Sequence, residues 1–90
     1  MNLLKYVKPK KDRVVVMRYL QANGASDEKT LLNAIKEKTD EENSKAVFSL
    51  ISSGLIRIDD SVISTKIVLT KLGQDWLNDL DLAEEEAACL

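Results

Sequence analysis

The sequence predicts a mainly α-helical domain with one small antiparallel β-hairpin, and three observations support this fold class. Thr39 and Glu42 stand in the spacing of a capping box, in which each side chain accepts a free backbone N–H at the start of a helix. The helix that follows has one apolar face and a glycine stop at Gly54. Apolar residues then alternate from Ile56, and a second strand-like run occupies residues 62–70. The predicted order is helix, helix, helix, strand, strand, helix.

The composition is that of one soluble globular domain. Of the 90 residues, 44% are hydrophobic, 31% are charged and 4% are aromatic, so we expect aliphatic side chains to build the core. No apolar stretch approaches the ~20 residues of a membrane span, and we expect a cytoplasmic protein with no membrane partner. We divide the chain into an arm at 1–9, a folded core at 10–80, and an acidic tail or helix extension at 81–90.

The sequence lacks the residues on which most catalytic and metal sites depend. It contains no histidine, and its single cysteine, Cys89, excludes an internal disulfide framework and a multi-cysteine metal site. It also contains no glycine-rich phosphate loop. Carboxylate pairs such as Asp59-Asp60 are more simply interpreted as turn or helix-start residues. We therefore expect no enzyme, no cofactor and no metal ion.

Charge is unevenly distributed along the chain, although the net charge is only −2. Residues 1–13 carry five cations against Asp12, a net charge of +4, and residues 79–90 carry five carboxylates and no cation, a net charge of −5. A basic head and an acidic tail thus flank a nearly neutral body.

Spacing and stop signals predict the first two helices. The first runs from about Pro9 or Lys10 to residue 22, although its three consecutive valines also fit a strand, and Gly24 supplies the stop. Ser26 is the predicted N-cap of the second helix, which ends near Lys38. The apolar positions at helical spacing are Val16, Tyr19 and Leu20 in the first helix, and Leu31, Leu32 and Ile35 in the second. Only about residues 37–39 separate the second helix from the third, and two helices joined by so tight a turn predict a helix-turn-helix pair.

The remaining elements follow from the same signals. The third helix places Val47, Leu50 and Ile51 on its buried face and Glu41, Lys45, Ser49 and Ser52 opposite. Phe48 lies at the border of the buried face. Residues 59–61 are predicted to form the hairpin turn, and Thr70 is predicted to cap the last helix. The last helix spaces Leu72, Trp76, Leu77 and Leu80 along one side, and we assign Trp76 to the core rather than to a partner contact.

Two short motifs resemble the winged helix-turn-helix family. Gly54-Leu55-Ile56 lies where the recognition helix meets the first wing strand, and Leu69-Thr70-Lys71-Leu72-Gly73 is similar to the "L-T-x-x-G" that follows the wing in many small regulators of that group. The resemblance covers roughly residues 12–80. It implies a DNA-binding regulator whose third helix enters the major groove while the hairpin touches the backbone.

The candidate DNA-binding residues come from this resemblance and from the basic head. By position, the resemblance implies that the groove-facing residues are Ser44, Lys45, Ser49 and Ser52, and that the wing contacts lie near residues 61–66, including Lys66. The basic head adds Lys8, Lys10, Lys11 and Arg13 as phosphate contacts. The alternatives are an ordinary solvated helix face and a solubilising arm. Four carboxylates on the same elements, Glu41, Glu42, Asp59 and Asp60, oppose phosphate binding.

Two functions follow from these sites. The first is a winged-helix regulator that binds double-stranded DNA. The alternative is a winged-helix protein–protein interaction module with little affinity for DNA, for which Phe48 is a candidate contact. A homodimer is also considered, with a seam of Trp76, Leu80, Ala83 and Ala87 on the last helix.

Overall fold

The computed structural model describes residues 3–36, 43–60 and 65–88, which form four α-helices and a two-stranded antiparallel sheet after a short 3₁₀ turn. The bounds are Leu3–Lys5 for the 3₁₀ turn, Lys11–Asn23 for α1, Glu28–Ile35 for α2, Asn43–Ser53 for α3, Ile56–Asp60 for β1, Thr65–Leu69 for β2 and Lys71–Ala88 for α4. The predicted mainly helical fold with one antiparallel hairpin is confirmed. The predicted capping box at 39 and 42 lies outside the described residues.

The valine-rich first segment is a helix rather than a strand. α1 turns Val16, Met17 and Leu20 into the core, where each is almost completely buried. The helix ends as predicted at Gly24, which has a φ of 77° and donates its backbone N–H to the Leu20 carbonyl at 2.8 Å. A positive φ costs glycine little, because it has no Cβ.

The N-cap of α2 is Asp27, and the prediction of Ser26 in this role is wrong. The Asp27 carboxylate accepts the backbone N–H of Thr30 at 2.9 Å. Ser26 instead pairs with Ile67 of β2, because its backbone donates to the Ile67 carbonyl at 3.0 Å and accepts the Ile67 N–H at 2.7 Å. Because the backbone of Ser26 is hydrogen-bonded to β2, the role of N-cap falls to the next residue, Asp27. α2 ends at Ile35, and the predicted end near 38 lies outside the described residues.

The third helix and the hairpin meet at Gly54. α3 buries Ala46, Val47 and Leu50, in agreement with the predicted face, and Gly54 ends it with a φ of 83°. The two strands then pair with Ile56 opposite Leu69 and Ile58 opposite Ile67.

The prediction that the hairpin turn includes Asp59 and Asp60 is wrong. Both residues belong to β1, where Asp59 lies opposite Lys66 and Asp60 opposite Thr65. The Thr65 hydroxyl donates to the Asp60 carboxylate at 3.0 Å, and this bond helps the strand pairing to continue to the end of β1. Residues 61–64 lie outside the described part of the chain.

The start of α4 is locked against the end of α3. The Thr70 hydroxyl donates to the Gly54 carbonyl at 2.7 Å, with the Leu55 carbonyl also 3.0 Å away, and accepts the backbone N–H of Gly73 at 3.0 Å. Thr70 therefore caps α4 as predicted. Gly73 lies so close that a Cβ at this position would stand 2.1 Å from the Leu55 carbonyl oxygen. This close approach explains on steric grounds why glycine occupies the last position of the L-T-x-x-G run.

Residues 3–7 pack against α4. The indole N–H of Trp76 donates to the Val7 carbonyl at 2.8 Å, and both side chains are buried. The backbone N–H of Leu3 donates to the Asp79 carboxylate at 2.9 Å. The Tyr6 hydroxyl donates to the Ser53 carbonyl at 2.8 Å, which ties the same segment to the end of α3. The N-terminal segment thus bridges α3 and α4.

α4 is amphipathic in its first half and exposed in its second. Trp76, Leu77 and Leu80 are buried, which places Trp76 in the core as predicted. After Leu80 the side chains through residue 85 are exposed, among them Leu82 at 56%. Within the described residues, no helix is long and apolar enough to cross a lipid bilayer.

Replacing Gly73 by alanine should destabilise the protein by about 1–3 kcal/mol, because the new methyl group forces the Leu55 carbonyl to move. Urea unfolding followed by circular dichroism measures this change. Asn78→Ala, at an exposed position of the same helix, is the control and should change stability by no more than about 0.5 kcal/mol. A Gly73→Ala protein more stable than wild type, as alanine is in an unconstrained helix, would contradict the packing at this junction.

The Asp27 cap should make stability depend on pH in the acid range. Hydrogen bonds from the Thr30 side chain, and then from its backbone N–H, lower the pKa of Asp27 below its usual value. The carboxylate therefore stabilises the fold above its unfolded pKa of about 3.9, and this contribution is lost as pH falls through the lower folded pKa.

The test is urea unfolding of wild type and Asp27→Asn from neutral pH to about pH 2. Asparagine is also a good N-cap but does not titrate, so the variant should lose less stability on acidification. Ser52→Ala, which removes no titrating group, should follow the wild-type pH profile. Parallel profiles for wild type and Asp27→Asn would show that the cap does not carry this pH dependence.

Candidate functional site

The outer side of α3 presents a continuous exposed surface, here called the α3 face and defined by Lys45, Phe48, Ser49 and Ser52. These positions are three or four residues apart and therefore lie on one side of the helix. Lys45 and Ser52 are exposed, Ser49 is half-buried, and Phe48 is 72% exposed. Ser44, the remaining predicted groove-facing residue, has a side chain outside the described part of the structure.

Arg13 connects the basic head to this surface. Its Nη1 donates to the Lys8 carbonyl at 3.0 Å, and its Nη2 donates to the Ser49 hydroxyl oxygen at 3.2 Å. Arg13 is half-buried, and its guanidinium spans the turn before α1 and the side of α3. The structure thus brings together Arg13 and Ser49, two residues that the sequence analysis placed in separate contact groups.

The lysines of the basic head lie in two places, the turn before α1 and the side of α1 that contacts α4. Lys8 and Lys10 are exposed in the turn before the helix, and the Lys10 carbonyl accepts the Val14 N–H at 3.0 Å. Lys11 lies seven residues before Arg18 on the same side of α1, which is the side that contacts α4. Arg13 therefore ties the backbone of Lys8 to the side of α3, whereas Lys11 lies on the α4 side.

Lys66, the predicted wing contact, is surrounded by carboxylates of its own chain. It lies opposite Asp59 in the strand ladder, and its charge also helps to lower the pKa of Asp27. On β1, Nη1 of Arg57 stands 3.8 Å from a carboxylate oxygen of Asp59. The cations of the described hairpin therefore lie beside carboxylates of their own chain.

Part of the acidic tail is bound within the fold. Asp79 accepts the Leu3 N–H, and Asp81 forms an ion pair with Arg18. The hydrogen bond to Asp81 raises the pKa of Arg18, and the same bond lowers the pKa of the Asp81 carboxyl. α4 extends to Ala88, so residues 81–88 continue the helix. These two anions cannot fold freely over the basic head.

The predicted dimer seam on α4 is wrong for its first two members. Trp76 is fully buried, Leu80 is 7% exposed, and both belong to the core of their own chain. Ala83 is exposed, and the side chain of Ala87 lies outside the described residues. A second copy therefore has no access to the apolar side of α4 on which the seam depends.

Tyr6 is the residue at this surface that sequence reasoning did not identify. It is 59% exposed, and its hydroxyl reaches the Ser53 carbonyl at the end of α3. The two residues are 47 positions apart, so no local pattern indicates the contact. Tyr6 and Arg13 together flank α3 on the side of Ser49 and Ser53.

The candidate surface combines exposed lysines, hydroxyl groups and one exposed phenylalanine. The described residues contain no group of three or more carboxylates or thiols placed to hold a metal ion. No protein-family model, no curated protein and no solved structure matches this chain. Its function therefore has to be inferred from these residues and their contacts.

Proposed function

We propose that this chain is a winged-helix DNA-binding module, with the α3 face in the major groove and the basic head on the phosphates. The observation that carries the proposal is the bridge from Arg13 to the Lys8 carbonyl and the Ser49 hydroxyl, at 3.0 and 3.2 Å. Because of this bridge, the backbone of the turn that carries Lys8 and Lys10 is tied to α3 instead of forming a free arm. Phosphate contacts and base contacts can then be made together.

The order of elements supports the same proposal. α2 and α3 precede a hairpin, and the L-T-x-x-G run has the cap and the close packing described for Thr70 and Gly73. The pairing of Ser26 with Ile67 holds the hairpin against the start of α2. In a winged-helix arrangement this attachment orients the hairpin relative to α3.

Each residue of the α3 face has a chemical role in this proposal. Lys45 can donate to phosphate oxygens or to the acceptor atoms of guanine. Ser52 can donate or accept at a base edge or a phosphate. Phe48 can contact the methyl group of thymine. Ser49, which accepts from Arg13, positions the guanidinium.

The charge distribution makes the proposed affinity strongly dependent on salt. The net charge is −2, so the basic head supplies the local positive potential that binds phosphates. The Asp81 charge is paired with Arg18, and the Asp79 carboxylate is held by the Leu3 N–H, so neither side chain is free to move onto the basic head. Binding should therefore be modest at physiological salt and stronger at low salt.

The test changes Lys8 and Lys10 together to alanine and leaves Arg13, which holds the turn to α3, in place. Both lysines are exposed, so the fold should be retained. If each binds one phosphate, the slope of log affinity against log salt should flatten by about 1.8, at ~0.9 per contact. Fluorescence anisotropy with a labelled random duplex at several salt concentrations measures the slope.

The charge-matched control is Lys29→Ala/Lys71→Ala, which removes two exposed cations outside the basic head and the α3 face. It should leave the slope nearly unchanged. Equal effects of the two double variants would mean that only net charge matters, and an unchanged slope in the Lys8/Lys10 variant would remove the basic head from the proposed interface.

The exposed Phe48 favours a second candidate function, a protein-interaction module that uses the same face. A phenylalanine that is 72% exposed on a helix otherwise lined by lysine and serine is typical of an interface anchor. In this case the basic head serves an acidic partner, and DNA affinity is not the selected property.

Duplex-DNA binding by the wild type, compared with that of Phe48→Ser and Lys45→Ala, separates the two functions. DNA binding by the wild type with a dissociation constant between about 1 and 100 µM, weakened by Phe48→Ser and by Lys45→Ala, supports the DNA function. No saturable binding to duplex DNA in that range, even at low salt, favours the protein interaction. Thermal unfolding of Phe48→Ser serves as the control and should match the wild type, because the removed ring is not packed in the core.

A further inference from the structure

β1 has an open edge. In the described part of the chain β1 pairs with β2 alone, and the other edge of β2 pairs with Ser26. β2 is therefore the central strand of this small sheet and β1 is an outer one. An outer strand with unpaired backbone groups is a template for the addition of another strand.

The pairing of Ile67 shows which backbone groups of β1 point outward. Ile67 exchanges both its backbone hydrogen bonds with Ser26, so its N–H and C=O point away from β1. Ile58, directly opposite Ile67, therefore forms a pair with no hydrogen bonds between the two residues. In such a pair the N–H and C=O of Ile58 point to the open edge. By the alternation of the ladder, those of Ile56 and Asp60 do as well, but Ile56 is only 1% exposed, so the accessible part of this edge lies at Ile58 and Asp60.

The side chain of Ile58 is exposed because this edge is uncovered. Ile58 and Ile67 lie on the same face of the sheet, yet Ile58 is 49% exposed and Ile67 is 3% exposed. The difference arises because Ile67 lies between β1 and Ser26 and packs in the core, whereas Ile58 has a paired neighbour on one side alone among the described residues. A further strand against β1 would remove apolar surface of Ile58 from water.

The charges on the other face of β1 are self-complementary. Arg57 and Asp59 flank Ile58 on this face, with side chains that are 60% and 49% exposed. In an antiparallel pair of two β1 strands with Ile58 opposite Ile58, each Arg57 lies opposite an Asp59 of the other strand. Opposite charges in directly opposed positions stabilise a strand pair. On β2, Lys66 lies opposite Asp59 of β1. The charges across the three strands would therefore alternate, from Lys66 to Asp59 to Arg57 of the second copy.

We propose that the open edge of β1 pairs with β1 of a second copy of this chain, antiparallel and centred on Ile58, across a two-fold axis. Ile58 then exchanges both backbone hydrogen bonds with its counterpart, and the two cross-strand pairs of Arg57 with Asp59 flank it. The second copy is the occupant that the charges specify, because the order Arg57, Ile58, Asp59 is complementary to itself only in this register.

The proposed interface is small and should dissociate readily. It uses the exposed part of the five-residue strand β1, with one isoleucine and two charged residues from each copy. Interfaces of this size belong to weak, transient complexes. The proposal does not depend on DNA binding, because the α3 face and the basic head take no part in it.

The first test measures mass by sedimentation equilibrium from about 1 µM to about 1 mM protein, the range in which weak complexes dissociate. Wild type should associate to dimers, and added salt should weaken the dimer. Arg57→Asp and Asp59→Arg should each weaken it at least about tenfold, because both cross-strand pairs become like-charged. The double variant Arg57→Asp/Asp59→Arg restores opposite charges in the same register and should regain the dimer.

The most discriminating measurement in this test uses an equal mixture of the two single variants. One variant carries two carboxylates and the other two guanidinium groups, so they should form a heterodimer although neither associates with itself. Heterodimer formation also shows that both variants are folded. A monomeric wild type at all concentrations overturns the proposal. So does a dimer that neither single substitution weakens, since it would use another surface.

The second test examines the register with a cysteine at the proposed axis. In a Cys89→Ser background, Ile58→Cys should form an intermolecular disulfide under mild oxidation, because a hydrogen-bonded antiparallel pair separates the two Cα atoms by about 5.5 Å. Thr65→Cys, at an exposed position on β2, is the matched control and should remain monomeric. Equal cross-linking at positions 58 and 65 would overturn the register, and its absence at 58 would overturn the pairing.

Discussion

The contact between the start of α4 and the end of α3 is the constraint on which the rest of the fold depends. The last carbonyls of α3 and the first N–H groups of α4 have no partners within their own helices. The Thr70 hydroxyl binds both sets, because it donates to the Gly54 carbonyl and accepts from Gly73. Only glycine fits at position 73, since the Leu55 carbonyl occupies the space of a Cβ. This junction closes the hairpin at its base and sets the direction of α4.

The candidate surface follows from that direction. Trp76 of α4 binds the Val7 carbonyl, and Tyr6 binds the Ser53 carbonyl at the end of α3. These two bonds hold the N-terminal segment across α3 and α4. Arg13 then joins the turn before α1 to Ser49. The position of the turn that carries the basic head therefore depends also on the packing of the N-terminal segment against α3 and α4. A change in the α4 junction should alter the candidate surface as well as stability.

The two proposed contacts depend on different physical interactions. The α3 face offers exposed side chains beside a local excess of positive charge, which suits an extended anionic partner. The β1 edge offers unpaired backbone groups and balanced charges, which suit a strand of the same sequence. Because the surfaces do not overlap, one molecule can in principle use both. Self-association through β1 would then bring two α3 faces into one assembly.

The sequence by itself determined the features that depend on neighbouring residues. The glycine stops at Gly24 and Gly54, the cap at Thr70 and the apolar sides of the helices are local, because they require only a few consecutive residues. Tertiary structure decided that Asp27 and not Ser26 caps α2, because Ser26 pairs with Ile67. It also decided that Arg13 binds Ser49 and that Ile58 stays exposed at an open edge. These outcomes depend on residues that are distant in the chain and meet only after the helices and the hairpin have packed, so no local pattern contains them.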